Sequence, residues 1–501
     1  MNPMPLTPPE RSADPVTTGI SGRTTWLVGA LVVVAFGLRI IGLGEGLWYD
    51  EIETLVDHAR LPVSEILTTY RSQNQHPLYG LLARLSMAVF GDGAFGLRLP
   101  AAVFGAASVW AVFYLGRRIA GAREGVLAAL LFTVSYHHVW FSQNARGYTG
   151  LLFFALVGTA LFHRLLTDPA AGPRVAVGYG LVMALAAYTH VTAVFISITH
   201  ALVGIGVLWR SGAAVGSPGR RAAFGLGASA LIGLALYGPL LGQLLGTLVG
   251  PNPYAADTAW ERPGWMLLEV ARGLARGLPG GWVTLTAGLV VAGAGFLSYL
   301  RADWTLAALF ALPGVLTAGV VIALGHNLWP RFFFFAMGFA VLIAIRGALV
   351  LGRRVGGTVG ERIATAGLVV AAAGSALTVP RAYHPKQDYE GAARFVEARA
   401  TPNDAIGTTD LTNYPYREYY RRPWPWLTGA AALDSLERGH ARTFVLTTFP
   451  IRLTVVHPDL WDRLTRGYDT AAVFPGTVGG GDIVVWQSKP RRGSNEPGSM
   501  W

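Results

Sequence analysis

Three carboxylates crowd one stretch of eight residues, Gly46-Leu47-Trp48-Tyr49-Asp50-Glu51-Ile52-Glu53. A carboxylate can take a proton from an attacking hydroxyl, bind a divalent cation or pair with a guanidinium. These acids follow directly on the apolar run Trp26 to Leu43. An ionised group at a bilayer costs roughly 3 kcal/mol or more, so acids placed there have a task or a watery niche. Asp50 and Glu53 also have the spacing of a helix-capping pair, which leaves Glu51 unexplained. Adjacent side chains point in different directions, so Asp50 and Glu51 are expected to play different parts.

Four other polar sequences are set among apolar residues. Gln75-His76-Pro77-Leu78-Tyr79 puts an imidazole just before a proline suited to a helix start. His76 is either a capping residue, a donor to substrate, or a ligand to a divalent cation shared with Glu51. Ser142-Gln143-Asn144-Ala145-Arg146-Gly147-Tyr148 and His326-Asn327-Leu328-Trp329-Pro330-Arg331 each carry an arginine. Arg146 and Arg331 read as interfacial anchors or as bidentate partners of a phosphate. Phe332 to Phe335 after Arg331 suit a lipid tail beside that charge. His190, in Tyr188-Thr189-His190, is a hairpin tip or a site residue. His137-His138 is a poor metal pair, because neighbours on a helix do not face each other.

The elements that must hold these residues are membrane spans. Of 501 residues, 52% are hydrophobic and 14% charged, against roughly a quarter charged in soluble domains. Apolar runs of spanning length recur to about residue 380. The first is no cleaved signal, since it follows a polar Pro-rich tail and lacks a small-residue cleavage site. The net charge of +11 does not imply nucleic acid, because the arginines punctuate the apolar runs. Arg117-Arg118 with Arg123, Arg164 with Arg174, Arg210 with Arg220-Arg221, Arg301, and Arg353-Arg354 with Arg362 read as cytoplasmic anchors. About eleven spans follow: 25–43, 97–116, 124–141, 148–166, 175–190, 191–209, 222–245, 279–300, 304–324, 332–351 and 362–380. The short stretch 76–91, interrupted by Arg84, is expected to lie at the interface or re-enter. The five polar sequences then share the outer face.

Residues 1–24 are expected to form a cytoplasmic tail, and 25–380 the membrane domain with a first outer loop over 44–96. Beyond Pro380 the chain turns polar, aromatic and Pro-rich. A small α/β domain outside the membrane is expected over 381–488, with a helix at Tyr389 to Ala398 and strands at 442–448 and 482–486. Gly479-Gly480-Gly481 reads as a turn, with no helix following to make a phosphate loop. The tail 489–501 has a disordered composition. Cysteine is absent, which excludes disulfides and thiolate metal sites. No repeat of fixed period is visible.

In order and spacing, Leu47-Trp48-Tyr49-Asp50-Glu51, His76-Pro77-Leu78-Tyr79, Ser142 to Tyr148 and Tyr188-Thr189-His190 resemble the bacterial glycosyltransferases of the GT-C fold. The likeness is to the protein mannosyltransferase-like group, which includes the aminoarabinose and galacturonic acid transferases of lipopolysaccharide. It covers residues 25–380. The resemblance implies an all-α polytopic membrane enzyme in the bacterial inner membrane. Its donor would be a polyprenyl-phosphate-linked sugar and its acceptor a cell-envelope glycolipid, polysaccharide or protein.

The resemblance also implies that Asp50 is the base or acceptor-binding carboxylate, with Glu51 an adjunct. His76, Gln143, Arg146, Tyr148, His190 and Arg331 would line the substrate and lipid phosphate. Leu78 stands where the group often has a second proline. Some relatives have another carboxylate shortly downstream of the Arg146 motif, whereas Leu151 to His163 contains none.

The expected reaction is a single displacement with inversion, Asp50 accepting the acceptor's proton. Arg146 and Arg331, or a divalent cation at Glu51 and His76, would neutralise the departing phosphate. Rivals are a flippase or transporter of a lipid-linked glycan, a lipid-binding scaffold, and a ligase or polymerase using a diphosphate-linked donor. A transporter would place its polar groups near mid-membrane in broken helices.

Overall fold

The computed structural model describes residues 21–72, 74–212, 214–249 and 262–489. The expected cytoplasmic tail up to residue 20, and the expected disordered tail beyond Lys489, lie outside them.

The chain is a multi-pass integral membrane protein. Its helical part runs α1 (Gly22–Ile40), α2 (Tyr49–Glu53), α3 (Val63–Thr68), α4 (Pro77–Phe90), α5 (Ala94–Ala120), α6 (Ala122–Thr133), α7 (Tyr136–Ser142), α8 (Tyr148–Thr167), α9 (Pro173–Thr189) and α10 (Ala193–Ser211). It continues through α11 (Pro218–Tyr237), α12 (Leu241–Val249), α13 (Pro263–Gly277), α14 (Trp282–Ala302), α15 (Trp304–Ala323) and α16 (Met337–Ala376).

Among the described residues, eight helical stretches are long and apolar enough to cross a membrane, nine if the bent pair α6–α7 is one span. Two more crossings come from geometry. Helix α9 has 17 residues, about 26 Å at 1.5 Å per residue. Helix α16 leaves helical geometry at Gly356 and Gly357, where φ reaches +58°. It doubles back there, and Gly352 and Gly360 approach so closely that a Cβ on either would overlap the other's backbone. Gly295 of α14 and Gly347 of α16 meet in the same way, the small-residue packing that substitutes for a hydrophobic drive inside lipid. These additions bring the crossings to the eleven apolar runs of the sequence. Helix α4 has 14 residues, about 21 Å, too short to cross.

The bend between α6 and α7 is 62°. Breaking a helix in lipid strands backbone carbonyls that water cannot reach. The fully buried Arg39 of α1 meets them, donating to the Phe132 carbonyl at 2.9 Å and the Thr133 carbonyl at 3.4 Å. It also donates to the Ala35 carbonyl at 2.7 Å and Ser142 Oγ at 3.2 Å. His138 accepts from the same guanidinium at 2.5 Å, while His137 turns to the Gly273 carbonyl at 2.8 Å. The two imidazoles therefore do not share a ligand.

Chain direction sorts the loops into two groups. The basic residues Arg117, Arg118, Arg210 and Arg301 sit in last helical turns at one end of the bundle. The ends of α1, α7 and α9 and the starts of α5, α8, α10 and α16 gather at the other, together with α2 to α4. A small mixed sheet caps this second end. It contains β1 (Asp404–Thr409), β2 (Trp426–Leu427), β3 (Arg442–Thr447), β4 (Tyr468–Phe474) and β5 (Ile483–Ser488), in the order β2-β1-β3-β5-β4. The first three are mutually parallel, while β5 runs antiparallel to β3 and β4. Helix α17 (Tyr389–Glu397) is followed by α18 (Asp410–Tyr414), α19 (Ala430–Glu437), α20 (Pro450–Val456) and α21 (Pro458–Gly467).

The sheet shares one apolar core with the helical part. Leu47, Ile52, Tyr79 and Ala101 pack in the same cluster as Tyr389, Val396, Phe444 and Val485. Polar ties lie alongside it. Tyr414 donates to Asp57 at 2.7 Å, Trp140 to Thr477 at 2.8 Å, and the Tyr49 amide to Gln387 at 3.2 Å.

Candidate active site

Helix α2 has only five residues, and its first turn fixes the acids. The Trp48 amide donates to Glu51 Oε2 at 3.4 Å, so Glu51 closes the cap rather than the expected Asp50–Glu53 pair. Glu51 is fully buried and its oxygens are committed. Arg98, from the start of α5, grips it with Nε at 2.8 Å and Nη2 at 2.5 Å, and the Ala145 amide donates at 2.8 Å. Burial alone would raise the Glu51 carboxyl, but Arg98 more than offsets that and holds it below the usual carboxylate range. Arg98 also donates to the carbonyls of Leu43, Glu45 and Gly46 at 3.1, 2.8 and 2.9 Å. One ion pair thus ties the acidic segment, α5 and the 143–147 turn together.

The sequence expectation put a divalent cation at Glu51 and His76; here protein donors take up the Glu51 carboxylate. Four donors occupy the carboxylate. Among the described residues no group of three or more His, Asp or Glu side chains is arranged to hold a metal.

Asp50 faces the other way. Its Oδ2 lies 3.2 Å from Arg331 Nη1 and 3.7 Å from Arg146 Nη1, and is buried without a hydrogen bond. Arg331 enters from the 3₁₀ turn Pro330–Ala336 and stacks over Trp329. Arg146 enters from the turn before α8, where Gly147 lets the chain close on its neighbour: a Cβ there would lie 2.5 Å from the Thr189 carbonyl. That approach sets Arg146 and Tyr148 beside His190. The His190 and His76 rings stack at 4.7 Å, and Tyr148 lies 5.3 Å from the first and 5.9 Å from the second.

Buried polar atoms without a hydrogen bond mark this cluster. They are Asp50 Oδ2, both ring nitrogens of His76 and His58, Nε and Nη1 of Arg146, the Tyr148 hydroxyl and Arg331 Nε. Leaving a polar atom unpaired costs about 1–3 kcal/mol, so such a set signals a ligand site. Burial, reinforced by Arg146, pushes His76 well below its usual range and His190 down to about 3. The imidazoles are neutral near pH 7, each able to donate one hydrogen bond and accept one.

The structure brings together Asp50, His76, Arg146, Tyr148, His190 and Arg331. Gln143 stands apart: its amide donates to the Arg39 carbonyl at 3.2 Å, pinning the end of α1. Sequence reasoning missed His58, which the π-helical turn Thr54–Ala59 carries into the cluster, where burial and then Arg146 lower it to about 4. It also missed Arg98, Asn74 and Lys386, whose partners lie far off in sequence. Lys386 is buried, donates to the Gln143 carbonyl at 2.7 Å and is lowered by burial to about 7. A π-turn at a functional site is a recognised signal in a structure, but periodicity in a six-residue stretch does not reveal one.

The sequence profile of the dolichyl-phosphate-mannose-protein mannosyltransferase family matches residues 74–236. Three solved structures share the fold over nearly the whole chain. ArnT from Cupriavidus metallidurans bound to undecaprenyl phosphate aligns with a TM-score of 0.52 at 14% identity, over 94% of this chain and 100% of ArnT. The Archaeoglobus fulgidus oligosaccharyltransferase with Zn and sulfate aligns at 0.51 and 11% identity, over 90% and 72%. The archaeal oligosaccharyltransferase AglB of the same organism, with an inhibitory peptide and a dolichol-phosphate, aligns at 0.51 and 12% identity, over 95% and 75%. No curated protein matches the chain in sequence. The chain thus shares its fold with these three transferases, and about a third of it matches the family profile.

Proposed function

We propose that this glycosyltransferase moves a sugar from a polyprenyl-phosphate donor to a cell-envelope acceptor, on the outer face of a bacterial inner membrane. The observation that carries this reading is Asp50 between Arg146 and Arg331, with buried atoms of all three left without a hydrogen bond. The orientation rests on the basic residues at the opposite end of the bundle, which the positive-inside tendency assigns to the cytoplasm. Sugar nucleotides are cytoplasmic, so an outward site requires a lipid-linked donor. The relatives bound to undecaprenyl phosphate and dolichol-phosphate support that donor class.

The acceptor hydroxyl attacks the anomeric carbon, the bond from that carbon to the phosphate oxygen breaks, and the hydroxyl proton passes to Asp50. The products are the inverted glycoside and the polyprenyl phosphomonoester. Asp50 holds the two guanidiniums as a phosphate would. An arriving donor phosphate competes for those guanidiniums and leaves the carboxylate to the acceptor. The charge that develops on the leaving phosphate is met by Arg146 and Arg331, usually the largest contribution of such a site. His76, His190 and Tyr148 offer neutral hydrogen bonds to the sugar and phosphate. Glu51 acts through the loop it anchors. Phe332 and Phe333 follow Arg331, stay partly exposed and suit the prenyl chain, whereas Phe334 and Phe335 are buried in the helical core.

The test is turnover of the purified protein, in lipid nanodiscs, against a panel of polyprenyl-phosphate sugars. Asp50→Asn should abolish transfer while the variant inserts and unfolds like wild type. Wild-type turnover by Asp50→Asn removes the base assignment. Turnover only with diphosphate-linked donors moves the reading to a ligase or polymerase.

A further inference from the structure

Glu53, the third acid of the segment, is unused by the reaction above and nearly as buried as Glu51. Its Oε2 accepts from Asn74 Nδ2 at 2.7 Å, and Asn74 Oδ1 accepts from Arg146 Nη2 at 2.8 Å. The amide is therefore read at both ends: a carboxylate fixes its nitrogen, and a guanidinium takes its oxygen. Ser72 adds a longer contact to Glu53 Oε1 at 3.5 Å. Arg146 feels two carboxylates, Glu53 beyond Asn74 and Asp50, whose Oδ2 lies 3.7 Å from Nη1; it lies 5.8 Å from the Tyr148 ring, and its Nε and Nη1 make no close hydrogen bond. Asn74 is thus the hydrogen bond that sets how the guanidinium plane lies, and Glu53 is the group that keeps Asn74 from flipping. Neither residue touches Asp50 through a hydrogen bond.

We infer that Glu53 is a positioning residue: through Asn74 it aims the open edge of Arg146 at the donor's phosphate, and so sets donor affinity. This rests on the assignment of Arg146 to that phosphate in the proposed function. The pair also gives the site a second, supporting carboxylate within the acidic segment itself. That matters because the helix after Arg146 offers no acid from Leu151 to His163. Asn74 makes the short directional bond to this guanidinium, so losing it frees the plane to turn, whereas bidentate use on phosphate needs a fixed plane.

The required contact is hydrogen-bond acceptance at Oε2, not a negative charge. Glutamine in place of Glu53 keeps a carbonyl oxygen for Asn74, so the conservative variant separates positioning from proton transfer. The experiment measures KM for a polyprenyl-phosphate sugar and kcat in nanodiscs for Glu53→Gln, Glu53→Ala, Asn74→Ala and the Glu53→Ala/Asn74→Ala pair, with Arg146→Ala alongside. Glu53→Ala and Asn74→Ala should each raise donor KM by about tenfold, the cost of one hydrogen bond to a charged group. Their acceptor KM should stay constant, and the double variant should be no worse than either single one. Glu53→Gln should keep KM within about twofold of wild type, a margin worth a few tenths of a kcal/mol.

Loss of kcat in Glu53→Gln with normal turnover in Asn74→Ala overturns the proposal and makes Glu53 a proton carrier. Additive losses in the double variant overturn it too, because the residues then act separately. If Arg146→Ala raises donor KM and neither Glu53→Ala nor Asn74→Ala does, this inference fails alone. If Arg146→Ala also leaves donor KM unchanged, the phosphate assignment has failed first. Should Glu53→Ala not fold, Asn74→Ala and Glu53→Gln decide the matter between them.

Discussion

Replacing Glu51 by glutamine should cost stability more than any other single change at the site. Glutamine is nearly isosteric, so packing is preserved and the loss is electrostatic. Glu51 is fully buried and Arg98 nearly so, with side-chain exposures of 0% and 5%. Arg98 would keep its three carbonyl partners but lose the carboxylate that, among the described residues, pairs with it. Breaking a buried pair from one side costs about 3–5 kcal/mol. The Ala145 amide bonds Oε1 and the Trp48 amide Oε2, so the single glutamine carbonyl keeps only one of them, and its NH₂ faces the other amide and one Arg98 nitrogen. Denaturation midpoints of the purified variant, read by fluorescence or by loss of monodisperse protein on heating, measure the cost. Glu51→Gln/Arg98→Met should recover part of the loss. Recovery stays partial because Leu43, Glu45 and Gly46 then lack their donor. A Glu51→Gln protein with wild-type thermal stability and no turnover would refute the scaffolding argument and return Glu51 to the chemistry.

Other expectations follow from the same geometry. Arg39→Leu should lower the yield of folded protein and destabilise it by roughly 2 kcal/mol or more, since the Phe132 and Thr133 carbonyls at the α6–α7 bend lose their donor. Glu53 is raised from 4.5 to about 7 by burial, against Arg146 and with Asp50 and Asp57 adding to the rise. Its folded form binds a proton that the unfolded chain has released, so its contribution to stability falls as pH climbs from about 4.5 through 7. Glu53→Gln should therefore be more stable than wild type at pH 8, by up to about 3 kcal/mol, and the advantage should vanish below pH 4.5. Equal midpoints at pH 8 would contradict the burial of a charge there. Lys386→Met should leave the sheet docked and turnover intact, because the ammonium is held by one carbonyl and an aromatic face, at 2.7 and 5.0 Å. Limited proteolysis that releases residues beyond 380 from this variant would show the lysine to be a required tie.

What could be read in advance divides by range. The crossings were legible because an apolar run of about twenty residues is a local property. The short α4 was legible because its length is local too. The reversal at Gly356–Gly357 was visible as basic residues between two apolar runs. The 62° bend inside 122–142 was not, since composition is continuous across it and the group that satisfies its carbonyls is a guanidinium about a hundred residues earlier. At the site, Asp50, His76, Arg146, Tyr148, His190 and Arg331 were found as polar residues at apolar margins, and they do come together. Glu51 was found for the same reason, yet its partner Arg98 lies 47 residues away and nothing local distinguishes an acid that is paired from one that is free. Helix α13 and strands β1, β2 and β4 went unread. The strands are short and their burial is supplied by neighbours, so no alternation marks them.

The shared core of the sheet and the acidic segment sets an order in time. The Tyr49 amide waits for Gln387, which is 338 residues later in the chain. At roughly 5–20 residues per second of synthesis, that is about 17–70 s. Throughout that interval Leu47 and Ile52 lack the strands that bury them. A chain interrupted before Phe444 and Val485 emerge has every membrane crossing but no settled cradle for Asp50. On the proposed function, truncated or still-tethered copies should reach the membrane unable to consume the lipid-linked donor.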